Sequence, residues 1–474
     1  MLVLINTNVM QPPIGPIGLD YVAGAARAGG IETRVVDLCL ADDGDAALRG
    51  ALAAGPSLVG LTFRNLDDCF WPSCRSFADE LASLTARVRE LTDAPIVLGG
   101  VGFSVMPGRI LRHTGADFGI HGDGEQAVCA LHHALAGRGR LEDVPGLLRR
   151  ENGRTIANPP AWPERLSLPT ARDAVDNAAY FRLGGQSGVE TKRGCNRRCI
   201  YCADPLAKGR AARLRDPREV ADEVEALAAR GINVLHLCDS EFNIPRAHAM
   251  AVCDELTARG LTGLTRWYAY LAVTPFDEEL ASAMQQAGCV GIDFTTDSAS
   301  PAMLMTYGHG HSVEDIASAV AICRRRGIAV MLDLLLGGPG ETPNTAAETV
   351  TAIKRLDADC VGCGVGVRLY PGTPVEAMLR AGGPLEQNRG IRRKYDGPVD
   401  LLLPTFYVSR ALGPQPAGLV RELIGGDRRF FEPADEQDLT RGHNYNDNAP
   451  LVRAIAQGHR GAYWHILSKL RNAQ

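Results

Sequence analysis

Apolar residues follow two rhythms along this chain, short runs at strand spacing and longer stretches at helical spacing, and the two alternate over most of its length. In the first third, five apolar runs predict strands: LVLIN (2–6), TRVVDLC (33–39), SLVGLTF (57–63), PIVLGG (95–100) and DFGIHG (117–122). Helical stretches begin between them near Gly18, Asp45, Phe77 and Pro107. Strands and helices in this order predict a parallel sheet covered on both faces, because each crossover must carry the chain back over the sheet.

The rhythm breaks at ANPPAWPERLSLPT. Its prolyl steps deny the chain regular helix or a central strand, so residues 143–185 are expected to be a linker. From 186 onward VETKRG, VLHLCDS, TRWYAYL, VGIDFTT, AVMLDLLLG and CVGCGVGVRLY predict six further strands. Helices are expected between them over Pro217–Arg230, Ala247–Arg259, Asp277–Ala287, Val313–Arg326 and Thr345–Leu356. Six strand-helix steps predict a partial (β/α)6 barrel over 186–380, with its working face at the C-terminal strand ends. Residues 1–142 read as a doubly wound α/β domain of the flavodoxin type. From 381 to 474, Gly, Pro and aromatic residues interrupt the pattern before a closing helix at about 450–472, and this segment is expected to cap the barrel mouth.

Composition narrows the partners. A chain of 474 residues needs more than one core. Its net charge of -5 gives no basic field of the kind nucleic-acid binding needs, so no nucleic-acid partner is expected. No apolar stretch approaches the roughly 20 residues of a membrane span, and the start lacks a basic leader. A cytoplasmic protein is expected. The 13 cysteines are odd in number and sit in apolar segments such as LHLCDS and AICRRRG, which suits a reducing compartment. Most are expected to be small core residues.

One group of cysteines is different. TKRGCNRRCIYCADP sets Cys195, Cys199 and Cys202 in a C-x3-C-x2-C spacing directly after the first barrel strand. A [4Fe-4S] cube normally takes one thiolate per iron, so three thiolates leave one iron open, as catalytic metal sites do. The amino and carboxylate groups of S-adenosylmethionine can chelate such an iron. Zinc is the alternative, but its sites usually pair two Cys or Cys/His units, and no second unit lies nearby.

On these three cysteines and Tyr201, residues 186–375 resemble a radical S-adenosylmethionine domain. The resemblance implies a [4Fe-4S] cluster, S-adenosylmethionine, and an electron donor such as a flavodoxin or ferredoxin. It implies that Glu241 or Asn243 of DSEFN meets the methionine amino group. Asp297 and Ser298 of GIDFTTDSAS stand where many relatives carry Glu-Ser for the ribose. Gly338 lies in the glycine-proline turn of LLLGGPGET, and Arg368 of VRLYPGTPV lies beside the adenine. Helix capping and plain turns are the alternatives at these segments.

The first domain carries a second resemblance. Gly99, Gly100 and Gly102, followed by Phe103 and Ser104, end the fourth strand, and Gly122, Gly124 and Glu125 follow the fifth. At strand C-termini such glycines let backbone approach a bulky planar ligand. Together they resemble the cobalamin-binding domain of cobalamin-dependent radical enzymes. No Asp-x-His-x-x-Gly follows the first strand, and His113 and His121 lie elsewhere, so no histidine is placed as a lower cobalt ligand. TFRNLDD offers Thr62, Arg64 and Asn65 at the third strand end. Arg64 resembles the position that the tryptophan-methylating branch places under the cobalt, where a cation would disfavour ligation by water; a surface ion pair is the alternative.

The two resemblances imply an enzyme that moves a methyl group from S-adenosylmethionine via methylcobalamin to an unactivated carbon of a small-molecule or peptide metabolite. A cyclase or rearrangement enzyme with the same cofactors, and a non-catalytic cobalamin-binding protein, are the alternatives. In the terminal segment Tyr407, His443, Tyr445, Tyr463 and Trp464 are candidates to face substrate, with packing the stronger expectation.

Overall fold

The computed structural model describes residues 1–439 and 444–472. Its first sheet contains β1 (Leu2–Asn6), β2 (Thr33–Asp37), β3 (Leu58–Thr62), β4 (Ile96–Gly99), β5 (Phe118–Ile120), β6 (Leu147–Glu151) and β7 (Arg154–Ala157), in the spatial order β2-β1-β3-β4-β5-β6-β7. The first five strands are parallel, and Leu2 of β1 stands opposite both Thr33 and Leu58. Central β1 is buried along its whole length, as a strand covered on both faces must be. Val3 and Ile5 join Val59 and Leu61 in one apolar layer, while Leu2 and Leu4 join Leu58 in the other. Strand order reverses between β1 and β3. There the following loops part into a crevice lined by Thr7, Met10, Phe63, Arg64 and Asn65, the place where doubly wound sheets bind ligands.

The antiparallel β6–β7 hairpin corrects the expected linker. Residues 147–157 continue the sheet by two edge strands instead of leaving it. An edge strand is half solvated, so Arg149, Arg150 and Glu151 are compatible with pairing while hiding it from a search for apolar runs. The helix Asn177–Gly184, capped by the Asp176 side chain, also lies within the expected linker.

After β8 (Ser187–Val189), a short antiparallel pair, β9 (Lys192–Arg193) and β10 (Arg213–Leu214), brackets the cysteine loop. Then follow β11 (Val234–Leu237), β12 (Arg266–Leu271), β13 (Cys289–Asp297), β14 (Ala329–Leu336) and β15 (Cys360–Val365), each parallel to the last. With β8 paired to β11, these are six parallel barrel strands, the first at Ser187–Val189, sharing only Val189 with the expected VETKRG, and the sheet stays open as a partial barrel. Outward positions such as Leu235, Trp267, Ile292 and Leu332 pack against Val224, Val252, Leu280 and Ile316 of the surrounding helices. Strand side chains alternate, so the inward positions fall on His236, Tyr270, Asp293, Thr295 and Asp333.

The terminal segment divides. β16 (Val367–Arg368), β17 (Ile391–Arg393) and β18 (Thr405–Tyr407) form a small antiparallel sheet that follows the C-terminal end of β15, and β19 (Phe430–Phe431) pairs with β15 itself. The closing helix, Tyr463–Asn472, does not cover the mouth. Its Tyr463, Trp464, Ile466 and Leu467 pack with Val234, Tyr268, Met331 and Cys360, near the N-terminal ends of their strands. It closes the barrel floor, where the inward layer is apolar enough to receive an amphipathic helix. Tyr463 and Trp464 are thus packing residues, and His443 lies outside the described residues. No helix among the described residues is long and apolar enough to cross a membrane.

A buried polar network joins sheet to barrel. The Glu223 carboxylate accepts from Tyr21 at 2.8 Å, from Arg172 at 2.7 Å and from Arg215 at 2.7 Å. Arg172, on the connecting segment, also reaches Asp20 at 2.7 Å and Asn177 at 3.0 Å. Beside them Arg193 makes a two-pronged bond to Glu125 at 2.8 and 3.1 Å. The network fixes how the first sheet faces the barrel, and hence the shape of the space between them.

Candidate functional site

The cysteine loop is braced on all sides. Gly194 has φ +88, and a Cβ there would stand 2.1 Å from the Ala211 carbonyl oxygen, so only glycine turns the chain into the loop. Cys195 N–H donates to Gly209 at 3.2 Å, Ile200 N–H donates to Tyr307 at 3.1 Å, and the Ile200 carbonyl accepts from Val375 at 2.9 Å. Cys195 is buried, Cys199 and Cys202 are half-buried, and none is in a disulfide. Burial, then the charge of Asp297, pushes the Cys199 thiol up to about 12. Burial and Asp204 push Cys202 up as well, with smaller contributions from Cys199 and Cys195. Such thiols stay neutral until a metal displaces their protons.

Among the described residues no three His, Cys, Asp or Glu side chains converge on a single ion. Thiolates on three corners of an iron–sulfur cube bind three different irons, so they need not converge as ligands of one ion do. The donor set around the loop fits the cluster. It also fits an aminoacyl chelate, because Glu241 stands beside Cys195 and Cys199, only 7% exposed, with one carboxylate oxygen unpartnered. Its other oxygen accepts from Thr295 at 2.8 Å. Burial holds the Glu241 carboxyl up at about 7.

Asp297, at the end of β13, has φ +56 and accepts hydrogen bonds from Tyr201 and His309 on one carboxylate oxygen. Tyr201 thus links the cysteine loop to Asp297. His309 is a neighbour that the sequence reading missed; its only signal was the polar run GHGHS before a helix. Next to it His311 is buried, and burial pushes its imidazole down to about 4.

Arg64 leaves the end of β3 and lies in the field of Cys238 and Tyr270 of the barrel and of Tyr463. No carboxylate pairs with it among the described residues, so the surface ion pair is not what the fold provides. Asn65 faces the Arg64 carbonyl and guanidinium at 3.2 and 3.3 Å. The Thr62 carbonyl accepts from Thr7, which ties the loops after β1 and β3 together.

Several residues expected to touch cofactors are occupied by the protein itself. The Asn243 amide donates to the Ala272 and Pro275 carbonyls at 2.8 and 2.7 Å and accepts from Ala272 N–H at 3.1 Å, so it shapes the turn beside Glu241. Ser298 bonds Thr349 at 2.8 Å and Ser300 at 3.1 Å. Arg368 is buried in an ion pair with Asp67 at 2.8 Å, 301 residues away in sequence. Glu125 is spent on Arg193, Phe103 lies in the core, and Ser104 accepts from Gly122 at 3.1 Å. The glycines serve contacts within the protein. A Cβ on Gly100 or Gly102 would strike the Phe63 carbonyl oxygen at 2.6 or 2.9 Å, one on Gly122 would meet Trp162 at 2.8 Å, and one on Gly124 would meet Val22 at 3.0 Å. Only Gly99 opens onto free space.

Gly338 is of the same kind. A Cβ there would stand 2.4 Å from the ring of Tyr307, whose hydroxyl is anchored to the Leu335 carbonyl at 2.7 Å. Gly338→Ala is therefore expected to cost about 1–3 kcal/mol, read as a lower midpoint of urea denaturation; an unchanged midpoint would show that Tyr307 can move aside.

The sequence reading also missed the polar lumen. His236, Tyr270, Asp293 and Asp333 occupy alternate positions in otherwise apolar strands, and that break in an apolar run was the available signal.

Residues 189–353 match the model of the Radical SAM superfamily, and residues 3–132 match that of the B12 binding domain. The tryptophan 2-C-methyltransferase of Streptomyces laurentii is 31% identical over 97% of this chain and 94% of its own length. The radical S-adenosylmethionine methyltransferase TsrM from Kitasatospora setae, solved with tryptophan and the analogue aza-SAM, superposes with a TM-score of 0.90 at 32% identity, covering 100% of this chain and 99% of that one. The same enzyme with cobalamin and a [4Fe-4S] cluster gives a TM-score of 0.87 at 31% identity, covering 100% and 99%. A cysteine loop of this spacing beside a doubly wound sheet, and a likeness that runs the length of both chains, lead to one assignment: the protein belongs to the cobalamin-dependent radical S-adenosylmethionine methyltransferases.

Proposed function

We propose that this enzyme methylates C2 of tryptophan, using S-adenosylmethionine, a [4Fe-4S] cluster on Cys195, Cys199 and Cys202, and cobalamin on the face of the first domain. The observation that carries this reading is Arg64. A guanidinium without a carboxylate partner, projecting from the end of β3 toward Tyr270 and Cys238, puts a fixed cation between the two domains, where a corrinoid on the sheet would meet the barrel.

When bound, the cluster would offer an iron that S-adenosylmethionine can chelate, and the corrinoid a transferable methyl group. The chain's own residues hold and orient. Glu241 accepts a hydrogen bond from the methionine ammonium on its unpartnered oxygen, a charge-assisted contact away from water. Asp297, steadied by Tyr201 and His309, accepts from the ribose hydroxyls. Arg64 would line the corrinoid's site as a cation without a carboxylate partner. An electron donor of the flavodoxin or ferredoxin class is part of the proposal, because the cobalt would have to be brought to its reduced state before it could accept a methyl group.

Two results test this. With S-adenosylmethionine carrying a deuterated methyl, anaerobic turnover is expected to place a trideuteromethyl group on carbon 2 of the indole, read by mass spectrometry and NMR. A ring-closed or rearranged product without the label overturns the proposal in favour of a cyclase. Counting 5'-deoxyadenosine against product shows whether the adenosyl group is cleaved in each turnover. Glu241→Gln is expected to weaken S-adenosylmethionine binding by about ten- to a hundredfold, the worth of one charge-assisted hydrogen bond. Equilibrium dialysis on the reconstituted protein measures it, and an unchanged affinity removes Glu241 from the role.

A further inference from the structure

Resting on the tryptophan reading, we infer that Asp293 in the barrel lumen holds the ammonium group of the substrate, and so makes the enzyme select arylalkyl substrates that carry a free amine. Asp293 is in the middle of β13, and Tyr270 is its register partner on β12, so both side chains face the lumen. Tyr270 is 36% exposed although its strand neighbours Ala269 and Leu271 are 1% and 0% exposed. A residue flanked in this way and still open to solvent borders a space inside the barrel. The His236 ring lies 4.8 Å from the Tyr270 ring, which gives that space an aromatic wall.

Asp293 itself is 3% exposed, and its Oδ1 has no hydrogen-bond partner among the described residues. A buried carboxylate without a partner is costly, and native proteins retain one where something else supplies the partner. Burial, Asp333 and Glu241 together push the Asp293 carboxyl well above the usual range. A cation arriving in the lumen would offset the negative field of Asp333 and Glu241 and supply the missing donor, whereas an anion would add to that field. Glu241 is beside the cysteines and serves the other amino acid of the reaction, the methionine moiety. Two buried carboxylates thus stand ready for two ammonium groups.

The test uses the holoenzyme with cluster and cobalamin, and the probes tryptophan, tryptamine and indole-3-propionic acid. The wild type is expected to bind the two amines at least about tenfold more tightly than the deaminated acid, as loss of a charge-assisted contact requires. Asp293→Asn is nearly isosteric with the buried carboxyl, so the empty protein should melt no lower than the wild type. In this variant both amines should bind about 30-fold or more weakly. Indole-3-propionic acid and S-adenosylmethionine should bind as before. Equal binding of tryptophan to variant and wild type overturns the inference alone, as does a loss confined to S-adenosylmethionine or a fall in kcat with affinity intact. If none of the three indoles binds the wild type, the tryptophan reading fails and this inference fails with it.

Discussion

Alanine at any one of Cys195, Cys199 or Cys202 is expected to leave a folded protein that holds almost no iron after anaerobic reconstitution and has no methyltransferase activity. A four-iron cube held by three thiolates has no spare protein ligand, so the loss of one leaves two attachment points. The core cysteines are not placed to replace it: Cys253, Cys289, Cys323, Cys360 and Cys363 are buried among the strands and helices of the barrel wall and floor. The thiols contribute little to packing energy, because the loop is held by backbone bonds to Gly209, Tyr307 and Val375. Thermal midpoints of the metal-free variants should therefore match the metal-free parent. Iron and sulfide analysis with the visible absorption band reads the outcome, with Cys253→Ala and Cys323→Ala as controls that keep their iron. A single variant that retained a full complement of iron and its activity would remove the cluster from this loop.

The second large effect concerns the seam between the domains. Glu223→Ala removes the acceptor shared by Tyr21, Arg172 and Arg215, all within a few per cent of complete burial. Two guanidinium groups would then be buried with one fewer counter-charge, a change that costs about 3–5 kcal/mol when one partner of a buried ion pair is deleted. The midpoint of urea denaturation should fall accordingly, and the connecting segment around Arg172 should become open to proteolysis. Glu278→Ala breaks an equally well-formed but exposed pairing with Arg325 and Arg326, and should cost less than about 1 kcal/mol. If the two variants lose the same stability, the seam is not what holds the domains in register.

The two effects belong to different layers of organisation, and the sequence exposes them unequally. The cysteine motif lies within eight consecutive residues, so spacing alone announced it. The Glu223 seam draws on residues 20, 21, 172, 215 and 223, and nothing in any one of those segments points to the others. Arg368 shows the same limit. Read as a residue beside adenine, it has its guanidinium paired with Asp67, a pairing that exists only because the small β16–β18 sheet packs against the loop after β3. The glycines after β4 gave a true signal of close approach but not its object, which is the Phe63–Arg64 backbone.

What the sequence determined by itself was everything carried by short-range repetition: eleven strands from runs and alternation, the helices between them, and a metal loop from cysteine spacing. Hydrophobic periodicity and ligand spacing are local, and local order survives in the linear chain. Tertiary structure alone decided that the terminal helix closes the floor, that 147–157 extends the first sheet, and that Arg64 and Asp293 come together around Tyr270, with Glu241 beside Asp293. Those outcomes depend on which distant surfaces pack together, and burial turns a polar residue from an ordinary side chain into one that must be satisfied from elsewhere.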